Sequence, residues 1–254
     1  MQHSPAMQLS REIARGLAPV VDLVFPPRCP VCGEGIAEQR GLCAECWSDL
    51  VIPGEPACAT CQRPLGDLER DEGTQCAPCL ANPPRHAGIA AGVLYTEPAR
   101  KLVLAFKHGR RIALAPMLAR LAAARLPELE GEWLAIPVPL HRSRIWKRGY
   151  NQSALLARQV AKLRGAELLV DGLIRTKATP PLGGLGRKER AKTLQGAVEV
   201  SPRRRERIKG AQILLVDDVL TSGATTDACT RALLKAGAKS VRIVCFARVM
   251  NEAL

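Results

Sequence analysis

The chain has 254 residues, 47% of them hydrophobic, and a formal net charge of +13 at pH 7. That composition fits one or two folded domains and excludes a disordered polyelectrolyte, and no run approaches the ~20 apolar residues of a membrane span. The charge is uneven: Met1 to Ala99 carries 7 Lys/Arg against 12 Asp/Glu, whereas the chain from Arg100 onward carries 30 against 12. A basic partner surface, if present, belongs to the second part. Residues 1–27 predict an amphipathic helix on Leu9, Ile13, Leu17, Val20, Val21 and Val24. Arg11, Glu12, Arg15 and Asp22 interrupt any apolar signal-peptide core, so the chain is expected to stay in the cytoplasm with its thiols reduced.

Four Cys-x-x-Cys pairs follow: Cys29/Cys32, Cys43/Cys46, Cys58/Cys61 and Cys76/Cys79, which use eight of the ten cysteines. Each pair turns two thiolates toward one tetrahedral metal, and two pairs complete the closed shell of structural zinc. Disulfides would be the alternative in a secreted chain. Sequential pairing gives two zinc ribbons and is favoured, with an interleaved arrangement left open. Two four-thiolate sites would lower the formal charge to roughly +9 and make the N-terminal part more acidic. That weakens a nucleic-acid role for the ribbons and leaves scaffold as their expected duty.

Residues 81–85 form a proline-rich linker, so the expected domains are a helix over 1–27, the ribbons over 28–80 and a second domain over 86–254. Gly88 to Tyr95 reads as a strand. Pro98 to His108 reads as a helix with Leu102, Val103 and Phe106 inward, ended by Lys107, His108, Arg110 and Arg111; cations suit a helix C-terminus whether or not they meet a ligand. A second helix is predicted over Pro116 to Leu126. Trp133 to Val138 predicts the first core strand, and Pro139 to Tyr150 a basic loop with His141, Arg142, Arg144, Lys147 and Arg148. Asn151 to Leu163 is then a helix. Loops after parallel strands lie at the edge where α/β folds bind ligands. Trp146 and Tyr150 among these cations would also suit nucleic acid, and a solvated basic loop is the plain alternative. Ser201 to Lys209, with Arg203, Arg204, Arg205, Arg207 and Lys209, reads as a solvated turn or a nucleic-acid patch.

Ile213 to Val216 are apolar without alternation, as in a strand buried on both faces. Asp217, Asp218, Val219 and Leu220 come next, then the turn Thr221-Ser222-Gly223-Ala224-Thr225. The turn opens a helix over Ala224 to Ala236, with Cys229, Ala232, Leu233 and Ala236 on one stripe and Gly237 as its C-cap. Strand, small-residue turn and helix start aim backbone N–H groups at an anion, with Thr221, Ser222 and Thr225 hydroxyls as further donors. The turn is expected to hold a phosphate monoester. No lysine of a nucleotide triphosphate loop is present, and adjacent acids suit vicinal hydroxyls. Strands over 133–138, 167–174, 211–216 and 241–246 with intervening helices make the fold α/β with a parallel sheet. Cys229 and Cys245 fall on apolar stripes and are expected in the core.

The thirteen positions Ile213 to Thr225 resemble the PRPP-binding motif of type I phosphoribosyltransferases. Together with Val138-Pro139-Leu140-His141, with Lys147-Arg148-Gly149-Tyr150-Asn151-Gln152 and with the cysteine ribbons ahead of them, they resemble the ComF family. The resemblance implies a double zinc ribbon joined to a phosphoribosyltransferase-like domain and a link to DNA uptake in competence. It implies that Asp217 and Asp218 hold the ribose hydroxyls of PRPP, that Val219, Thr221, Ser222, Gly223, Ala224 and Thr225 form the phosphate site, and that Lys147, Arg148 and Arg175 steady the pyrophosphate. It implies Mg²⁺ with PRPP and, if the protein turns over, a phosphoribosyltransferase of the glycosyltransferase class. Arg175 to Arg190 corresponds to the mobile loop over PRPP, and Pro180, Pro181, Gly183, Gly184 and Gly186 suit a lid. Pro181, Thr193 and Val198 depart from the family pattern there, which bears on turnover more than on binding. No acceptor site is legible, and aromatic residues are only 3%. A non-catalytic PRPP- or nucleotide-binding adaptor that engages single-stranded DNA or a DNA-processing protein is the alternative expectation.

Overall fold

The computed structural model describes residues 26–38, 41–66, 73–109, 111–177, 189, 193 and 196–250. Residues 1–25 of the helix expected over 1–27 and the Pro/Gly-rich centre of the expected lid lie outside them. The chain divides into two compact units, Met1–Asp49 and Leu50–Leu254, so the second ribbon belongs to the same unit as the sheet.

In the first unit, Gly33 N–H bonds Cys29 O (2.9 Å) and Cys29 N–H bonds Glu34 O (2.7 Å), closing a knuckle around the first cysteine pair. The second pair opens the short helix α1 (Ala44–Ser48), with Cys43 as its N-cap. The second unit repeats this plan. Gln62 N–H bonds Cys58 O and Cys58 N–H bonds Arg63 O, both at 2.8 Å, and Cys76 is the N-cap of α2 (Ala77–Ala81).

The sheet holds β1 (Ile89–Leu94), β2 (Trp133–Pro137), β3 (Glu167–Leu168), β6 (Gln212–Leu220) and β7 (Ser240–Arg248), in the order β1-β7-β6-β2-β3. Every pairing is parallel. The continuous apolar run Ile213–Val216 is buried throughout, as a central strand requires. Alternate residues serve two faces. Ile213, Leu215, Ile243 and Cys245 share one buried cluster with Cys229 and Leu233 of α8 (Ala224–Lys235). The opposite face is covered by α4 (Ala115–Ala123) and α6 (Gln152–Arg164). Helix α3 (Glu97–Lys107) follows β1, with Pro98 in its first turn and Ala99, Leu102, Val103 and Phe106 buried. Gly92 in β1 lets α4 approach: a β-carbon there would lie 2.9 Å from the Ala122 nitrogen.

Four expectations are corrected. The strand expected over 167–174 is broken, because after β3 the chain turns at Asp171 and Gly172 and leaves the sheet. Its continuation, β4 (Leu173–Arg175), pairs antiparallel with β5 (Val198–Val200) as a separate hairpin. The basic stretch after β2 is not a loop, since residues Arg142–Arg148 form helix α5 with His141 as N-cap. The core strand runs to Leu220 rather than ending near 216, so the acid pair lies within it. Finally, Ser201 to Lys209 contains α7 (Arg205–Ile208) rather than a simple solvated turn, and two of its cations pair with acids: Arg204 with Asp171 (2.9 Å) and Arg207 with Glu167 (2.6 Å).

Candidate functional site

The chain steps one way across the sheet from β2 to β3 and the other way from β6 to β7. The segments leaving the carboxyl ends of β2 and β6 therefore diverge and open a crevice, the usual ligand position in such sheets. After β6, Thr221 to Gly223 form the turn, and Gly223 is the N-cap of α8 at φ +76°. The first helical bond is Asp227 N–H to Gly223 O at 2.8 Å, so the N–H groups of Ala224, Thr225 and Thr226 have no acceptor inside the helix. Thr226, which sequence reading did not single out, shapes the turn by donating its hydroxyl to Gly223 O (2.9 Å). Ala197, between Gly196 and β5, is buried against Ala224 and Ala228 and packs the hairpin onto this helix start.

Neighbouring residues of a strand point to opposite faces, and the two acids find different partners. Asp218 is buried and pairs with Lys107 at 3.0 Å. One carboxylate oxygen of Asp217 accepts the Ser153 hydroxyl (3.0 Å) and the Asp218 N–H (2.9 Å). Burial first, and then the charge of Asp218, push the Asp217 carboxyl up to about 7, against the opposing pull of Lys107 and these two hydrogen bonds. Val219, between the acids and the turn, is half-buried and in register with Ala247 of β7.

On the β2 side the motif Lys147 to Gln152 builds a tight junction between two helices. Gly149 ends α5 in the left-handed conformation at φ +85°. Tyr150 donates its hydroxyl to Phe106 O, and Asn151 caps α6 by accepting Ser153 N–H (3.1 Å) while its amide donates to Val138 O (3.1 Å). Arg148 donates to the Gln152 side chain at 2.7 Å, and Gln152 itself is buried. Lys147 is exposed on α5, as is Trp146, which is 90% exposed. Arg175 ends β4. Burial and then the nearby Arg144 guanidinium pull its pKa down, with Cys229 and Asp217 opposing, so Arg175 shares the electrostatic surroundings of Asp217.

The two cysteine sets are sequential: Cys29, Cys32, Cys43 and Cys46 form one, and Cys58, Cys61, Cys76 and Cys79 the other, with the four ligand atoms of each set within 4.8 Å of one another. A tetrahedral zinc with Zn–S near 2.3 Å sets its sulfurs about 3.8 Å apart. Cys32 and Cys43 Sγ are 3.6 Å apart, and so are Cys61 and Cys76 Sγ. Backbone N–H groups already face the sulfurs, Cys46 N–H to Cys43 (3.4 Å) and Cys76 N–H to Cys58 (3.3 Å). Burial raises the Cys29 and Cys58 thiols, but N–H groups turned toward them outweigh it and bring them to about 6 and about 7. Both sets fit zinc by donor type and spacing. Cys229 and Cys245 are fully buried, and burial pushes both thiols up, Cys245 to about 12; they are core, as expected.

The structure thus gathers Asp217, Asp218, the 221–225 turn and Arg175 around the end of β6, and leaves Lys147 on an exposed helix face. Ser153 was missed, because a serine in the first turn of a helix carries no signal beyond capping. Lys107 was seen only as a helix-end cation, and its partner lies 111 positions away. Among the described residues no helix is long and apolar enough to cross a membrane.

Residues 20–80 match the family model of the double zinc ribbon domain, and residues 154–254 that of the phosphoribosyl transferase domain. The chain is 30% identical to "Competence protein F" of Haemophilus influenzae over 231 residues, covering 88% of this chain and 98% of that one. It is 30% identical to "DNA utilization protein YhgH" of Salmonella typhi over 228 residues, covering 87% and 90%. Among solved structures, a glutamine PRPP amidotransferase from B. subtilis shares 18% identity at TM-score 0.36, over 52% of this chain and 26% of that one, a likeness too distant to bear on residue roles. Two ribbons followed by a parallel sheet with the Thr221–Thr225 turn at its switch point, together with near full-length similarity to these relatives, make the chain a member of the ComF/YhgH family, a double zinc ribbon joined to a phosphoribosyltransferase domain.

Proposed function

We propose that this protein binds PRPP with Mg²⁺ at the end of β6 and transfers its phosphoribosyl group to an acceptor in a process of DNA utilisation or uptake. The observation that carries this reading is the phosphate-type turn Thr221–Thr225 placed directly after Asp217 and Asp218 at the crevice between β2 and β6. Asp217 and Asp218 accept hydrogen bonds from the ribose hydroxyls. Val219 carries the strand into the turn, and the N–H groups and hydroxyls of Thr221, Ser222, Gly223, Ala224 and Thr225 bind the 5′-phosphate. Arg175 faces the pyrophosphate, and Arg148 and Lys147 are assigned to it from α5, with Lys147 reaching in from its exposed place; the bond from pyrophosphate to C1 of the ribose breaks as the acceptor bonds there. Fixed positive charge on the leaving group lowers that barrier, and no protein nucleophile is needed. Mg²⁺ enters with PRPP as part of the substrate. Zinc is held by the two cysteine sets, two ions per chain, and their need for reduced thiolates supports a cytoplasmic location.

Calorimetric titration of Mg²⁺-PRPP into the zinc-loaded chain tests the reading. Asp217→Asn/Asp218→Asn removes two charge-assisted hydrogen bonds at ~1.5–3 kcal/mol each, so affinity should fall ~100-fold or more. Equal binding by parent and variant overturns it. A second reading, the non-catalytic adaptor for single-stranded DNA or a DNA-processing protein, is favoured by Trp146 standing exposed beside Arg142 and Lys147. The names of the relatives point the same way. Acceptor-dependent pyrophosphate release speaks for transfer; PRPP binding without release, together with salt-sensitive oligonucleotide binding that Trp146→Ala weakens, speaks for the adaptor.

A further inference from the structure

Beside the phosphate turn, the second unit encloses a cleft of about 590 Å³, within the roughly 300–1,000 Å³ usual for small-molecule sites. One wall is the turn and the start of α8; the other is the second ribbon and the segment that follows it. Three arginines converge from separate elements: Arg63 from the ribbon knuckle, Arg85 from the linker and Arg248 from the end of β7. Among the described residues, none of the three has a carboxylate partner. Arg248 is only 9% exposed and donates to Cys61 O. The Nε of Arg63 is buried without any hydrogen-bond partner.

The other charged groups of the cleft offset these only in part. Arg231 and Asp227 pair with each other. His86 is driven down to about 4 by burial and then by Arg248, so it is neutral at pH 7 and adds nothing. Cys61, Cys76 and Cys79 also line the cleft, and their four-thiolate zinc site would bring a charge of about −2 against the three guanidinium groups. The surplus is positive, and the three guanidinium groups still repel one another across a partly desolvated space, a cost that an anion between them relieves. Planar guanidinium forks match phosphate oxygens two at a time. No Phe, Tyr or Trp lines the cleft, so the broad aromatic platforms on which a run of bases stacks are missing from it.

We propose that the cleft is a second anion site, taking a small, non-aromatic phosphorylated molecule held by Arg63, Arg85 and Arg248 beside the phosphate turn. The site rests on the PRPP reading for the identity of its neighbour, and not for the arginines themselves. With the turn occupied by PRPP, its ligand is a second substrate bound alongside.

Arginine-selective modification by phenylglyoxal, read residue by residue by mass spectrometry on the zinc-loaded full chain, tests this with inorganic phosphate as probe. With Mg²⁺-PRPP already saturating, phosphate at about ten times its dissociation constant should slow modification of Arg63 and Arg85 by ~tenfold. A deoxythymidine decamer at equal phosphate concentration should not. Arg63→Gln/Arg85→Gln should retain PRPP affinity. No protection by phosphate overturns the proposal. So does full protection by PRPP alone, which would assign these arginines to the first site, and so does equal protection by the decamer, which would make the cleft part of a nucleic-acid surface. If PRPP does not bind and phosphate still protects, the PRPP reading falls and the cleft stands.

Discussion

The two cysteine sets close the same knuckle with the same backbone bonds, yet the residue after the second cysteine is Gly33 in one and Gln62 in the other. Gly33 sits at φ +85° with open space around it. Gln62 adopts φ +54° as a non-glycine residue, a conformation that costs ~1–2 kcal/mol and persists where its surroundings hold it. Here its side chain donates to Arg125 O (3.2 Å) and accepts Ala91 N–H (3.4 Å), tying the knuckle to β1 and to the segment that follows α4. Cys32 is exposed and Cys43 half-buried, whereas all four cysteines of the second set are buried and share a cluster with Ile89, Leu220 and Ile243 of the sheet. The first ribbon closes on its own cysteine set, and the second is part of the core beside the Thr221–Thr225 turn. Ligand spacing alone does not distinguish them.

The sharpest test of that difference removes each metal in turn. Cys58→Ser/Cys76→Ser should abolish cooperative melting of the sheet unit, because a structural zinc site supplies ~10–16 kcal/mol in small domains and whole-domain stability is ~5–15 kcal/mol. Cys32→Ser/Cys43→Ser should also lower zinc content from two ions per chain to one, yet keep the melting transition of residues 50–254 and PRPP binding. Equal effects of the two doubles on that transition would break the comparison. pH separates the share of the metal from that of the acid pair. Burial raises Asp217 from 3.8 to about 7, so its contribution to ligand-free stability is fully present below pH ~4 and is lost as pH rises through ~7. Thermal melts of parent and Asp217→Asn from pH 5 to 8 should differ by a stability loss with rising pH that only the parent adds to the slope they share, and parallel curves would contradict it.

Smaller effects refine the picture. Lys107→Met strands the buried Asp218 carboxylate and should cost ~1–3 kcal/mol in urea melts, partly restored by adding Asp218→Asn. Gln62→Ala removes two hydrogen bonds, one from the knuckle to β1 and one to the segment after α4, and should cost ~1–2 kcal/mol in the same melts while zinc content stays at two. A loss below ~0.3 kcal/mol would mean that the cysteine cluster alone fastens the ribbon.

Much of this was legible from the chain. The run Ile213–Val216 reads as a strand buried on both faces, which it is, and Gly223 reads as a helix start, which it is as the N-cap of α8. The cysteine spacing made the two sets readable before any coordinates. What stayed hidden depended on distance along the chain. Asp171 and Gly172 break an apolar run that looks continuous, because the chain must leave the sheet to build the β4–β5 hairpin. Arg142 to Arg148 read as a loop because charge masked a short helix whose ends are set by His141 and Gly149. Lys107 with Asp218, and Ser153 with Asp217, are tertiary pairings that no local pattern encodes.

Among the described residues β1 pairs in the sheet with β7 alone, the last of the described strands, and Arg248 at the end of β7 reaches back to Cys61. A ribosome making this protein therefore exposes the second ribbon and β1 long before their partners exist, and closing so long a loop is entropically slow. The nascent second ribbon emerges before Leu220 and Ile243, with which its cysteines share their buried cluster. A message truncated before codon 240 would yield a chain whose two cysteine sets are complete and whose Thr221–Thr225 turn lacks the neighbouring strand β7.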